Sequence, residues 1–382
     1  MRLRLSLLLA FTLSGLSHAY EQPTDLTMSP LAVLFTGMGG DTQADTSLKA
    51  ASTEFLPILS YDTDVGLGYG VKAFALNHMA LDESFDLILF NSTKGERWYR
   101  LVFSLPDFEL RQGRAYPLAL DVTVDYDKWI SSSFFGVGNR SLYQDRETYT
   151  REPLEISLAL SRGITSALIV QGGLKLKAVR NFNFSEDSRL SRLLPGLNAS
   201  RVSFASLFGT IRYDTRESYI NPRSGLVLLG EVEGAPHVPF SDVGFTRLGA
   251  WVQCYSPIGT GRIVLASRLG FQALMGRALP VQVLLPVGGN TTVRGSPQDR
   301  FLDKTSAVGN VELRFPIVWR FGGVAGIDCG KVWHEVSDLD LGRWATNPVA
   351  GLRFYMETFV VRLDVGFGRE TTPVYLNFGH VF

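Results

Sequence analysis

From about Glu54 to the end of the chain, apolar residues recur at every second position. The clearest run is Tyr116 to Asp127. Tyr116, Leu118, Leu120, Val122, Val124 and Tyr126 fall on one face, and Pro117, Ala119, Asp121, Thr123, Asp125 and Asp127 on the other. A helix would mix these two sets, whereas a strand separates them. Arg362 and Asp364 likewise oppose Val361, Leu363, Val365 and Phe367, and Val374, Leu376, Phe378 and Phe382 share a face near the end. The same rule predicts strands near 54–61, 65–77, 82–92, 97–110, 114–127, 151–162, 166–180, 201–214, 225–235, 244–256, 260–274, 306–316, 322–333, 348–356, 359–368 and 373–381. That is about sixteen strands, most of them near the ~9–11 residues a tilted membrane strand requires. No amphipathic helix of ordinary length interrupts the series.

The connections add a second pattern. From the fifth strand on, long segments (128–150, 181–200, 275–305, 334–347) alternate with short ones (163–165, 257–259, 317–321, 357–358), with 215–224 intermediate. Outer-membrane barrels have short periplasmic turns and longer outside loops, and a soluble sandwich has no reason to keep that order. The fold class predicted is all-β, a transmembrane antiparallel β-barrel of about sixteen strands. Trp98, Trp129, Trp319 and Trp333 fall at or near predicted strand ends, where either an aromatic girdle or ordinary rim packing would place them.

The N-terminus reads as an address. Met1 to Ala19 has Arg2 and Arg4, then a short apolar run broken by Ser6, Thr12, Ser14 and Gly15, then Ser17-His18-Ala19. This is the form of a secretory signal cut before Tyr20, and the run is too short for a spanning helix. Residues 20–53 read as a short periplasmic leader, too few for a domain with its own core, which leaves 54–382 as the barrel domain.

Composition narrows the function classes. Lys plus Arg and Asp plus Glu are both 37, so net charge is zero and there is no electrostatic case for nucleic acid. Charged residues are only 19% of the chain, below the roughly 25% usual for soluble domains, while Phe reaches 25 and Gly 38, a balance suited to a β-rich chain that meets lipid. Cys254 and Cys329 lack Cys or His neighbours at metal-ligand spacing, so no metal site is expected. The five histidines make no catalytic spacing and there is no nucleophile elbow. Ala325-Gly326-Ile327-Asp328-Cys329-Gly330-Lys331-Val332 lacks the first Gly and final Ser/Thr of a phosphate loop. Neither an enzyme nor a cofactor is expected.

The sharpest local feature is the run Gly288-Gly289-Asn290-Thr291-Thr292-Val293-Arg294-Gly295-Ser296, inside the longest connection, between the eleventh and twelfth predicted strands. It leads into Val308-Gly309-Asn310-Val311-Glu312-Leu313-Arg314-Phe315-Pro316. Glu312 shares a face with Asn310 and Arg314, opposite Val311, Leu313 and Phe315, and Asp328 stands opposite Ile327 and Cys329. Both carboxylates therefore point to the polar interior. An arginine held away from water needs an anionic partner, and a forked guanidinium can bridge two strands. The alternative is a solvated loop arginine.

These stretches, with Tyr213-Asp214-Thr215-Arg216, Gly326-Ile327-Asp328-Cys329-Gly330 and the ending Phe378-Gly379-His380-Val381-Phe382, resemble the BamA/TamA-like outer-membrane assembly superfamily, also called the bacterial surface antigen family. The resemblance covers roughly residues 54–382. It implies a loop folded into the lumen with the tip Val293, Arg294, Gly295, and an ion pair from Arg294 to Asp328 with Glu312 close by. It also implies insertion or translocation of a protein or lipid client in the bacterial outer membrane. Two departures stand out. The aromatic that usually follows Arg-Gly is Ser296 here, which implies a looser tip. Residues 20–53 cannot hold a POTRA module, so a separate periplasmic partner is expected, or a client that finds the barrel unaided. A small-solute channel and a structural surface-antigen barrel remain open as alternatives. The first strand carries Pro57, which cannot donate a ladder hydrogen bond, and must meet the last strand, which runs to Phe382. The expectation is a weak seam there, able to open into the bilayer.

Overall fold

The computed structural model describes residues 51–62, 66–192, 200–239, 241–356 and 360–382. The expected signal peptide (1–19) and nearly all of the leader (20–53) lie outside the described residues. In chain order the strands are β1 (Ser52–Asp62), β2 (Gly66–Leu76), β3 (Ser84–Ser92), β4 (Arg97–Leu105), β5 (Tyr116–Phe134), β6 (Glu147–Gly163), β7 (Leu168–Phe182), β8 (Arg201–Asp214) and β9 (Gly225–Ala235). They continue with β10 (Phe245–Ile258), β11 (Ile263–Gly276), β12 (Leu285–Val287), β13 (Phe301–Asp303), β14 (Thr305–Val318), β15 (Phe321–Trp333), β16 (Ala345–Tyr355), β17 (Val360–Gly366) and β18 (Val374–Phe378). All but β12 and β13 form one 16-stranded antiparallel sheet, each strand pairing with its neighbours in sequence. The fold is the all-β barrel expected. β12 and β13 form a small ribbon of their own inside the long connection between β11 and β14.

The two faces of the sheet invert the order of a soluble protein. On β7, Leu174 and Leu176 are 53% and 54% exposed, while Lys175 and Lys177 between and beyond them are 9% and 7% exposed. On β14, Val311, Leu313 and Phe315 are exposed, and Asn310, Glu312 and Arg314 are buried. Apolar positions point outward, where only lipid covers them favourably, and polar positions point into the lumen. Among the described residues no helix is long and apolar enough to cross a membrane. Inward-facing charges are paired: Lys72 with Asp86 at 2.9 Å and Arg247 with Glu233 at 3.3 Å across neighbouring strands, and Arg111, in the connection between β4 and β5, with Asp121 of β5.

Several boundaries differ from the sequence expectation. β5 and β6 run well past the alternating core, to Phe134 and back from Glu147, so much of 128–150 is strand. Irregular pairing between Trp129 and Ser132 breaks the two-residue period there, which hid the extension. Of the four tryptophans placed at a rim, Trp319 is exposed beside Phe321 and Phe354, whereas Trp129 and Trp333 are buried. Both cysteines are free thiols.

The seam expectation also changes. β1 is longer than the 54–61 expected: it has 11 residues, with Pro57 opposite Val71 of β2 and its side chain on the exposed side. The short partner is β18, with 5 residues. Phe382 does not lie on the outer face of the last strand, because the chain leaves the sheet at Gly379, whose φ is +73°. Its ring is buried against lumenal residues of β9, β10 and β11.

Candidate lumenal ionic site

The long connection descends into the barrel as a folded unit. The β12–β13 ribbon holds its base, and Val287 and Val293 pack with Val308 of β14 and Val332 of β15. A second clamp comes from Arg300, which donates to Glu370 from Nε at 2.5 Å and from Nη2 at 2.6 Å. Its Nη1 also donates to Ser141 Oγ at 2.7 Å. Arg300 thus ties the connection to segments 135–146 and 367–373.

The tip turns at Gly295, with φ +90°. A Cβ built on Gly366 would lie 2.1 Å from the Gly295 nitrogen, and one on Gly368 would lie 1.9 Å from the Gly295 oxygen. Backbone meets backbone here, and only glycines allow it. Ser296, expected to loosen the tip, is buried. Asn347 Nδ2 donates to Ser296 Oγ at 3.0 Å and to the Arg294 carbonyl at 2.9 Å. Thr371 Oγ1 donates to the Gly295 carbonyl at 3.1 Å. Hydrogen bonds to the small residue replace the packing an aromatic would give, and the tip is tightly held.

Arg294 is fully buried at the centre of this arrangement. It forks onto Asp328, with Nε to Oδ2 at 2.7 Å and Nη2 to Oδ1 at 2.9 Å, and its backbone N–H donates to the same carboxylate at 3.0 Å. Its Nη1 lies 2.8 Å from Glu312 Oε1 and 2.8 Å from Asp364 Oδ2. Arg314 pairs with Glu312 at 2.9 Å, Arg353 with Asp364, and Arg362 with Asp364 at 3.3 Å. Four guanidiniums therefore face three carboxylates. Main-chain oxygens accept two further donors of this network, with Arg353 donating to Leu352 O at 3.0 Å and Arg314 to Phe382 O at 2.9 Å. A buried charge is tolerated only when paired and hydrogen-bonded, and this network satisfies that for the loop tip.

The structure thus brings together Val293, Arg294, Gly295, Asp328 and Glu312. Pro57 is not part of this group, and Phe382 reaches it only through its main-chain oxygen, which accepts from Arg314. Arg353 and Asn347 were not singled out from the sequence, and Asp364 and Arg362 were read only as a polar strand face, not as partners of the loop arginine. The alternation of Val361-Arg362-Leu363-Asp364 does put Asp364 inward, and the register then fixes its height: Asp364 pairs with Gly351 of β16, and Asn347 pairs with Asp328 of β15. Among the described residues, no group of His, Cys, Asp or Glu side chains could hold a metal ion.

A strand-by-strand barrel with a loop tip locked inside by a buried arginine defines a class. Residues 83–347 match the Omp85 superfamily domain, and the chain belongs to that superfamily. Among solved structures it is similar to BamA from Haemophilus ducreyi lacking POTRA domains 1–3, with 14% identity and a TM-score of 0.63, over 86% of this chain and 69% of that one. It is also similar to CdiB from Escherichia coli, with 14% identity and a TM-score of 0.58, over 85% of this chain and 61% of that one. CdiB from Acinetobacter baumannii matches at 14% identity and a TM-score of 0.53, over 86% of this chain and 65% of that one. At this identity the likeness is one of fold. The chain spans less than two thirds of either CdiB. No curated protein matches the chain.

Proposed function

We propose that the protein resides in the bacterial outer membrane and inserts or translocates a protein or lipid client there. The observation that carries this reading is the docked tip. A fully buried arginine bridging three strands is an expensive arrangement in a barrel that needs only to stand in a membrane. Membership of the Omp85 superfamily supports the same reading. The unequal edges support it as well: β1 offers 11 residues and β18 only 5, so the two cannot pair along their full lengths as they stand. A client strand or lipid would meet the barrel at that edge. A separate periplasmic partner would deliver it.

The small-solute channel is less well supported, since the loop tip is tied by Arg294 to lumenal carboxylates of β14, β15 and β17. The test is a quantitative outer-membrane proteome and lipid profile of a strain lacking the protein. Specific barrels or lipids should fall and return on complementation. An unchanged profile would sink the client reading and put solute uptake in its place.

A further inference from the structure

A row of charges interrupts the outward apolar face at the long-loop end of β4 to β8. Arg97, Glu152, Arg180 and Arg201 share strand phase with exposed Leu101, Leu154, Leu176 and Leu207, so all four point outward. Register joins them with Lys128 into one line. Arg97 stands opposite Lys128, Glu152 opposite Arg180, and Arg180 opposite Arg201. Two of these are like-charge pairs, Arg97 with Lys128 and Arg180 with Arg201. Like charges directly opposite one another destabilise a sheet, so each pair calls for an anion. The outward residues at the same ends of β2, β10 and β11 are Leu67, Thr246 and Met275, none of them charged.

The chain supplies little counter-charge. Arg180 lies 3.8 Å from Glu152, with its side chain still 62% exposed, and Glu152 also accepts from Tyr126 Oη at 2.6 Å. Arg97, Lys128 and Arg201 make no ion pair among the described residues. Asp242 accepts from Ser203 N at 2.7 Å and Oγ at 2.8 Å; those bonds, and then the Arg201 charge, hold its carboxyl below the usual carboxylate range. Four cations thus meet two carboxylates. Two of the cations share one ring: the Arg180 guanidinium lies 4.6 Å and the Lys128 ammonium 5.9 Å from the centroid of Phe182. Just inside the row, Tyr99 and Tyr126 face each other across β4 and β5 and stack at 5.6 Å, and Tyr99 donates to Asn91 at 2.6 Å. Such amphipathic rings belong where hydrocarbon gives way to headgroups.

We propose that this row is a binding site for the phosphates of an anionic, bisphosphorylated glycolipid in the leaflet on the long-loop side, which rests on the outer-membrane placement proposed above. Guanidiniums take phosphate bidentately, and basic residues at a headgroup surface attract anionic lipid. Lys128 on β5 and Arg180 on β7 are two strand spacings apart, about 10 Å. Glu152 between them repels a single central anion and suits two separated ones. The paired tyrosines offer apolar rings and hydroxyl groups to the sugars between the phosphates. The apolar band below, with Leu101, Leu154 and Leu176 exposed, continues the site toward the acyl chains.

The test uses the folded full chain in detergent, with native mass spectrometry reading bound lipid. The probes are a bisphosphorylated glucosamine-disaccharide lipid and the same lipid without phosphates. The phosphorylated form should bind at least ~10-fold more tightly, and added salt should narrow the gap. Arg180→Ala/Arg201→Ala should erase the preference, and Glu152→Gln should increase it. Arg320→Ala, at the opposite end of the barrel beside Trp319, should leave it unchanged. If the double variant fails to fold, judged by gel mobility with and without heating, Arg97→Gln/Lys128→Gln should lower the preference instead. A preference that survives in every folded variant of the row, equal binding of the two lipids, or displacement by inorganic phosphate, the mark of a free-anion site, would overturn the proposal. Insertion into phosphatidylcholine vesicles reports the membrane placement separately. A barrel that inserts but binds both lipids equally loses this site alone, whereas a chain that does not insert loses both.

Discussion

With Arg294 replaced by alanine, Asp328, Glu312 and Asp364 would lose a shared cation in a site closed to water. Removing one partner of a buried ion pair destabilises by about 3–5 kcal/mol, far more than the intact pair contributes over an apolar substitute. Arg294→Ala should therefore lower the urea midpoint of the folded barrel in lipid vesicles by that amount, read from tryptophan fluorescence. Arg294→Lys should recover only part of the loss, since a single ammonium cannot fork onto Asp328 while touching Glu312 and Asp364. Equal stability of all three proteins would show that the network is not tightly coupled. At this scale the sequence was informative wherever strand phase alone decides. Glu312 and Asp328 alternate with apolar neighbours, so their inward direction could be read directly. Asp364 has the same phase, but its height beside Arg294 depends on the register of β16 with β17, which alternation does not carry.

The elements show where that period stops being a guide. Phe382 has the right phase for the outer face, yet phase has meaning only while the chain stays in the strand, and Gly379 takes it out. The β5–β6 extension was hidden by the irregular pairing at Trp129 and Ser132. By contrast, the long connection between β11 and β14 was legible because its glycine-rich tip and the polar face of the following strand lie close in sequence. Its fit depends on glycine. Gly366→Ala would push a methyl into the Gly295 backbone, so a Ser296→Cys probe should become reactive in that variant while the barrel still runs as a folded band. A tip that stays protected would mean that the strand edge yields more easily than the loop. The outer face makes its own prediction. Val311 is exposed near the middle of β14, and Val311→Arg should destabilise the barrel by about 2–4 kcal/mol in vesicles, because an arginine there must enter hydrocarbon. A change below about 0.5 kcal/mol would argue that lipid does not contact this position.

At the scale of the whole molecule, the strand number and the outward apolar face follow from alternation repeated sixteen times, and such repetition survives errors at single boundaries. What one strand cannot reveal is the mismatch between the edges, since it depends on both ends of the chain at once. If that edge opens during function, cysteines placed at facing positions of β1 and β18 should block activity when oxidised and restore it when reduced. Full activity in the oxidised form would remove the opening edge from the account. On the proposed function, the docked loop tip serves client handling and does more than stiffen a barrel. The most direct measurement is complementation of a deletion strain with wild type or Arg294→Ala, at matched amounts of folded protein, followed by the outer-membrane proteome and lipid profile. Wild type should restore the missing barrels or lipids and Arg294→Ala should not. Full restoration by Arg294→Ala would contradict that role and leave the arginine a purely structural tie.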